Sequence, residues 1–353
     1  MSFELDAKLL EINKETEILS AYVVSDRMSA VLKENEQKCR ELADIIADYN
    51  PDRLLLVGSG ASYCTLYTAY VFLNTHTDIR VSHMFGPELI TDDPSWLKNE
   101  KVLAIVSSYS GKTADTNNAC SHLEKYGIPR IALCKEEDSK LAGNCHHVLA
   151  YHDKCLYTSA MTSVLMLLCA YAEKKGNTEA AKKMLDALKA LPEQMKGIIG
   201  KSEKAAMEAL STVRGEDFFY VMGDGALWGL AYQYGYTNLM EYSRVHSACL
   251  RACEWRHGPL EILFRKPAIV IFVADDKSRE YTVAAKEYCE KNGGKVVVFD
   301  VKDYFDTHPA LAPFVLHAVS QFFFLYQSTD RNINMDEYLE MHVKPFQDGE
   351  QYF

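Results

Sequence analysis

Three clusters of residues have types and spacings suited to chemistry. The first is Ser107-Ser108-Tyr109-Ser110-Gly111-Lys112-Thr113, directly after the apolar run Val102 to Val106. Short hydroxyls and backbone N–H groups at the opening of a helix suit a phosphate monoester. The Gly-Lys-Thr triplet invites a nucleotide P-loop, but that motif needs glycine at position 106, where valine stands. A capped helix start would explain one hydroxyl; four in seven residues favour phosphate. The second cluster is Gly58-Ser59-Gly60-Ala61-Ser62. It departs from the dinucleotide fingerprint because Tyr63 replaces the last glycine, and it reads equally as an anion site or a tight strand-to-helix turn. The third runs from Glu241 to His246 and from Cys253-Glu254 to His257-Gly258-Pro259. Glu241 follows Trp228, Tyr232, Tyr236, Leu239 and Met240, so partial desolvation would raise its pKa toward that of a general base. His257, before Gly-Pro, suits a protruding imidazole in a turn. Taken singly, a surface-helix glutamate and a structural loop histidine are the simpler readings of these two.

An internal repeat must position these clusters. Leu54 to Ser62 and Phe218 to Ala226 each carry an apolar run into Gly-x-Gly-Ala, with the glycine pairs Gly58/Gly60 and Gly223/Gly225 offset by 165 residues. A second apolar run follows each copy, Val102 to Val106 and Ala268 to Val273, and each of these ends in a polar turn (Ser107 to Thr113, Asp275 to Ser278). A third run closes each copy, Pro129 to Cys134 and Lys295 to Asp300. Short continuous apolar runs separated by helical stretches indicate buried parallel strands. Each half is therefore expected to be a three-layer α/β sandwich, with its ligands beyond the carboxyl ends of the strands. The expected order is a helical arm (1–50), a first α/β domain (51–158), a helical connector (159–207), a second α/β domain (208–328) and a tail (329–353).

Composition narrows the class. The chain has 353 residues, 48% hydrophobic and 25% charged, with a formal net charge of -11. That is a globular composition, and the charge offers nucleic acid or an anionic membrane no attraction. Ten scattered cysteines form no CxxC pair and no zinc-like spacing, so no metal and no cofactor is expected. The N-terminus lacks a signal-peptide core, and free thiols point to a reducing, cytoplasmic compartment.

The paired halves, the Gly58–Ser62 turn, Ser107–Thr113 and Glu254-Trp-Arg-His-Gly-Pro259-Leu-Glu261 together resemble the sugar isomerase (SIS) superfamily. The chain is similar to the isomerase half of glucosamine-6-phosphate synthase, and more so to the fructosamine-6-phosphate deglycases of the fructoselysine-6-phosphate type. Thr307 to Phe314 and Ala274 to Arg279 carry the likeness to that branch. The resemblance implies two tandem SIS domains of flavodoxin-like α/β fold. It makes Ser62, Ser108, Tyr109 (through its backbone), Ser110 and Thr113 the phosphate contacts, with Gly60, Ser107 and Glu254 in support. Glu241 becomes the base that moves a proton between C1 and C2, and His257 the ring-opening histidine, supplied in the synthases by the neighbouring subunit.

Two departures direct the reading. The synthase lysine three residues before the glutamate is Asn238 here, and the N-terminus reads as a short helical arm rather than a glutaminase domain. Without an ammonia source, the proton shuttle suits amine release. The expected activity is a deglycase splitting a 6-phosphorylated ketosamine into an aldose 6-phosphate and an amine, in a homodimer or larger homo-oligomer with its site at the subunit interface. A phosphosugar isomerase, an aminosugar-phosphate deaminase and a non-catalytic phosphosugar sensor are the alternatives.

Overall fold

The six apolar runs of the repeat all become strands. In the computed structural model, which describes residues 4–16, 19, 21–341 and 343–344, they are β1 (Arg53–Gly58), β3 (Val102–Ser107), β4 (Arg130–Cys134), β6 (Phe218–Met222), β8 (Ala268–Val273) and β9 (Lys295–Asp300). Three strands join them: β2 (Val81–Phe85), β5 (His147–Ala150) and β7 (His246–Leu250). The sequence reading places three strands in each half, whereas the sheets hold five and four. All three additions lie at sheet edges, where partial exposure replaces the continuous apolar signal of a buried strand. Residues 1–3, 17, 18 and 20 of the expected arm and 342 and 345–353 of the expected tail lie outside the described residues.

The chain divides into two compact units, residues 23–193 and residues 1–22 with 194–353. The first holds a wholly parallel sheet of order β2-β1-β3-β4-β5. This is the flavodoxin-like order, whose topological switch point lies between β1 and β3. Alternation along β1 sends Leu55 and Val57 to one face, against the core of Leu89, Ala119 and Leu123. Leu54 and Leu56 take the other face, where the helices Glu36–Tyr49, Ala61–His76 and Leu156–Lys174 pack on one another.

The second unit repeats the plan with one strand fewer, in the order β7-β6-β8-β9. Met222, Ile269, Ile271 and Val273 pack with Ala285 and Cys289 of the helix Arg279–Lys291. On the opposite face Phe272 and Phe299 pack around Tyr234, and Phe219 and Phe299 meet Phe323 of the helix Ala312–Asp330. Each such ring contributes about 1.5–3 kcal/mol by burial. The helices Leu156–Lys174 and Pro309–Asp330 are long and apolar, but 83% and 94% of their apolar windows are buried in the fold. They are apolar all round because protein surrounds them.

Candidate active site

The first two clusters fall at the C-terminal ends of adjacent strands of the first unit. Gly58, the last residue of β1, pairs with Ser107, the last of β3. The two turns therefore flank the switch point, where an open parallel sheet leaves a crevice. The turn after β1 enters the helix Ala61–His76 through Gly60, whose φ of 55° suits glycine. Ser62 is buried in the first turn of that helix. The helix start is fixed by its neighbour: the Tyr63 ring stacks on His83 and Phe85 of β2 at 3.8 and 3.6 Å. His83 also bonds the Tyr63 carbonyl through Nε2 at 2.8 Å. Burial pushes its pKa down to about 4, so the ring is neutral and Nε2–H is the donor.

The turn after β3 is held more tightly. Ser108 Oγ lies 3.0 Å from Thr113 Oγ1 and accepts the Gly111 N–H at 3.1 Å. Ser110 Oγ accepts the Lys112 N–H, and the Tyr109 carbonyl accepts the Lys135 N–H. Thr113 is the N-cap of the helix Ala114–Glu124 but makes no side-chain capping bond. The first N–H groups of a helix have no intrahelical acceptor and are open to an anion. Ser107 Oγ and Ser59 Oγ are buried with no hydrogen-bond partner among the described residues. Unmatched hydroxyls at the ends of neighbouring strands are what a bound polar ligand would satisfy. Among these, Ser59 was not singled out from the sequence.

Asn117 was also missed, because an asparagine inside a helix carries no motif. It is buried, and its amide donates to the Gly111 carbonyl at 3.1 Å and the Thr113 carbonyl at 2.9 Å. Gly111 itself has a φ of 66°, and a Cβ there would sit 2.3 Å from Ser139 Cβ. Gly111→Ala is therefore expected to displace the loop and weaken binding of an anion such as inorganic phosphate there by about tenfold or more, since such strain costs roughly 1–3 kcal/mol. Calorimetric titration beside a thermal melt checks this; the affinity falls further than the stability.

The corresponding switch point of the second unit is already filled. Asp224 replaces the serine of the first turn, and its carboxylate accepts the Cys253 N–H at 2.8 Å. Asp276, in the second turn, accepts the Ala226 N–H at 3.1 Å and the Ser278 N–H at 2.8 Å. These carboxylates take the donors that an anion would use. The repeat thus reproduces the turns but keeps an open hydroxyl-lined cradle only in its first copy.

Glu241 lies on the helical segment opened by Gly225, but the helix changes form along the way. A 3₁₀ turn (Gly225–Leu227) passes into an α-helix (Trp228–Gln233) and then a π-helix (Tyr234–Tyr242). Such wide turns are rare and concentrate at functional sites. Glu241 is half-buried and makes no ion pair among the described residues. Burial pushes its carboxyl up to about 7, and only a hydrogen bond from Tyr242 opposes the shift. His257 is exposed in the turn between two 3₁₀ segments, and its N–H is held by the Glu254 carbonyl at 2.9 Å. Glu254 thus serves the turn through its backbone, and its side chain is exposed.

Glu241 and His257 lie before and after β7 in the chain. Glu241 ends its helix just before β7, whose first residue His246 pairs with Phe218 at the start of β6. His257 follows the other end of β7, where Leu250 pairs with Met222. A five-residue strand, at about 3.3 Å per residue, separates the two positions.

Comparison with known proteins now bears on this arrangement. Residues 49–174 match the SIS domain profile. The fructosamine deglycase FrlB of Bacillus subtilis (strain 168) is 30% identical over 281 residues, covering 76% of this chain and 84% of the relative. The chain belongs to the SIS superfamily, in its fructosamine deglycase branch. The fructoselysine 6-phosphate deglycase of Escherichia coli (strain K12) is 24% identical over 336 residues, covering 93% of this SIS chain and 97% of the relative. A crystal structure described as a phosphosugar isomerase of Bacillus subtilis superposes with a TM-score of 0.78 at 24% identity, over 90% of this chain and 99% of the other. As a member of a deglycase family, the chain is an enzyme of two tandem SIS domains, and the expected fold class stands.

Proposed function

We propose that the protein hydrolyses a 6-phosphorylated ketosamine, a fructose 6-phosphate bearing an amine on C1, to an aldose 6-phosphate and the free amine. The observation that carries the reading is Glu241, a carboxyl raised to about 7 by desolvation and set in a π-helical turn. A carboxyl in that range both accepts and returns a proton at neutral pH. Ser62, Ser108, Ser110, Thr113 and the Tyr109 backbone hold the phosphate, with Gly60 and Ser107 shaping the turns. His257 assists ring opening. Glu241 then removes a proton from C1 and delivers it to C2, while the C2 oxygen is protonated and the amine nitrogen gives up its proton, converting the ketoamine to an imine at C1. Water adds to the imine carbon and the amine leaves. The steps are proton transfers and hydrolysis.

We place His257 in the site of a second subunit, as a homodimer with its active site at the interface; its separation from Glu241 along β7 supports this. The ten free cysteines fit a reducing, cytoplasmic compartment.

The decisive assay offers a panel of 6-phosphorylated glycated amino acids and follows release of glucose 6-phosphate and amine. Release of both from at least one adduct supports the deglycase. Interconversion of aldose and ketose phosphates with no amine released would make the protein an isomerase. Because the base must be ionised, kcat/KM should rise with pH through an apparent pKa near 7, the value to which burial lifts Glu241. A profile flat between pH 5.5 and 8.5, each an assay setting about 1.5 units from that pKa, would remove Glu241 from that role.

A further inference from the structure

In the sequence the ten cysteines speak only to compartment, but the fold sets two of them against each other. Cys120, buried on the helix Ala114–Glu124, and Cys145, partly exposed just before β5, place their sulfurs 3.7 Å apart. They are 25 residues apart in sequence, so only the fold creates the pair. We propose that Cys120 and Cys145 form a peroxide-sensitive dithiol whose closure to a disulfide loosens the phosphate cradle.

The chemistry balances with hydrogen peroxide as oxidant. One thiolate attacks a peroxide oxygen, giving a sulfenic acid and hydroxide; the second sulfur attacks the sulfenic sulfur, and water leaves. Two thiols and one peroxide become one disulfide and two waters. The local field helps the first step. The contact with the Cys145 thiol, together with the Arg130 guanidinium nearby, lowers the Cys120 pKa. Arg130 is itself fixed, donating to the Asn144 and Ile128 carbonyls.

Coupling to the cradle runs through two asparagines. Asn117 and Cys120 lie three residues apart on one helix, and Asn144 precedes Cys145. Asn144 Nδ2 donates to Asn117 Oδ1 at 2.8 Å, and Asn117 holds the Gly111 and Thr113 carbonyls of the cradle loop. A disulfide needs its sulfurs about 2.05 Å apart, so closure draws them together by about 1.7 Å. A packed interior passes such a displacement on to its neighbours. The helix bearing Asn117 and the segment bearing Asn144 both move, and the clamp on the loop moves with them.

The coupling rests on the phosphate reading above, whereas the dithiol does not, so two readouts are taken on the full-length protein. Peroxide treatment, alkylation of remaining thiols and non-reducing peptide mapping should yield a peptide linked through Cys120 and Cys145, reversed by dithiothreitol. Glucose 6-phosphate affinity should fall several-fold in the oxidised protein and stay unchanged in Cys145→Ser under the same treatment. Cys145 is the partly exposed partner, which makes this the milder substitution; Cys120→Ser serves as a second control. Absence of the linked peptide overturns the dithiol. A linked peptide with unaltered affinity overturns the coupling. Reduced protein that fails to bind glucose 6-phosphate overturns the cradle, and the coupling with it, while the mapping still decides the dithiol.

Discussion

Replacing Glu241 with glutamine lowers turnover by about 10²–10⁴-fold while leaving phosphosugar binding nearly unchanged. Glutamine keeps the shape and the hydrogen-bonding edge of the side chain but cannot carry a proton between carbons. The proposed phosphate contacts lie on other elements, β1 with its helix and the loop after β3, so KM or Kd for a 6-phosphosugar should move little. The same variant carries a stability signature of opposite sign. Burial lifts the folded-state pKa from the usual 4.5 to about 7, so the native protein binds this proton more tightly than the unfolded chain. That contribution is fully present below pH 4.5 and is lost as pH rises through about 7. Glu241→Gln should therefore melt above the wild type at pH 8, and the gain should vanish at low pH. A variant that retains activity would overturn the assignment. One that is inactive yet no more stable at pH 8 would show that the wild-type carboxyl is not strained by burial.

Co-expression of Glu241→Gln with His257→Ala restores activity that neither variant shows alone. If each site takes Glu241 from one subunit and His257 from the other, every mixed dimer contains one intact site and one doubly defective site. Random pairing makes half the dimers mixed, so recovery approaches about a quarter of wild-type activity. If both residues act within one chain, mixing recovers nothing. The two outcomes differ by the whole residual-activity gap, and a tagged, purified mixed dimer removes uncertainty about pairing. The physical basis is the course of β7: Glu241 ends the helix that leads into it, and His257 lies in the turn after it.

Much of this was legible in the sequence because the signals are local. Six strands announced themselves as apolar runs, and the 165-residue offset of the glycine pairs showed that the fold is doubled. The hydroxyl-dense Ser107–Thr113 segment could be read because a hydroxyl-lined turn is built from neighbours in sequence. The edge strands β2, β5 and β7 could not, since these three partly exposed segments carry neither the apolar run that marks the edge strand β9 nor a turn motif.

By itself, then, the sequence determined the α/β class, the repeat, the position of the hydroxyl cradle and the residues to test. The tertiary structure decided what depends on groups distant along the chain. It showed that Asp224 and Asp276 close the second switch point, which the matching Gly-x-Gly-Ala turns conceal. It placed the Asn117 amide beneath the cradle and the Cys120 and Cys145 sulfurs face to face. It set Glu241 in a π-helical turn whose surroundings raise its pKa to about 7. Pattern and composition report what a residue is and who its neighbours are in the chain. Desolvation, hydrogen-bond satisfaction and sulfur–sulfur proximity depend on packing, which brings together residues that the sequence keeps apart.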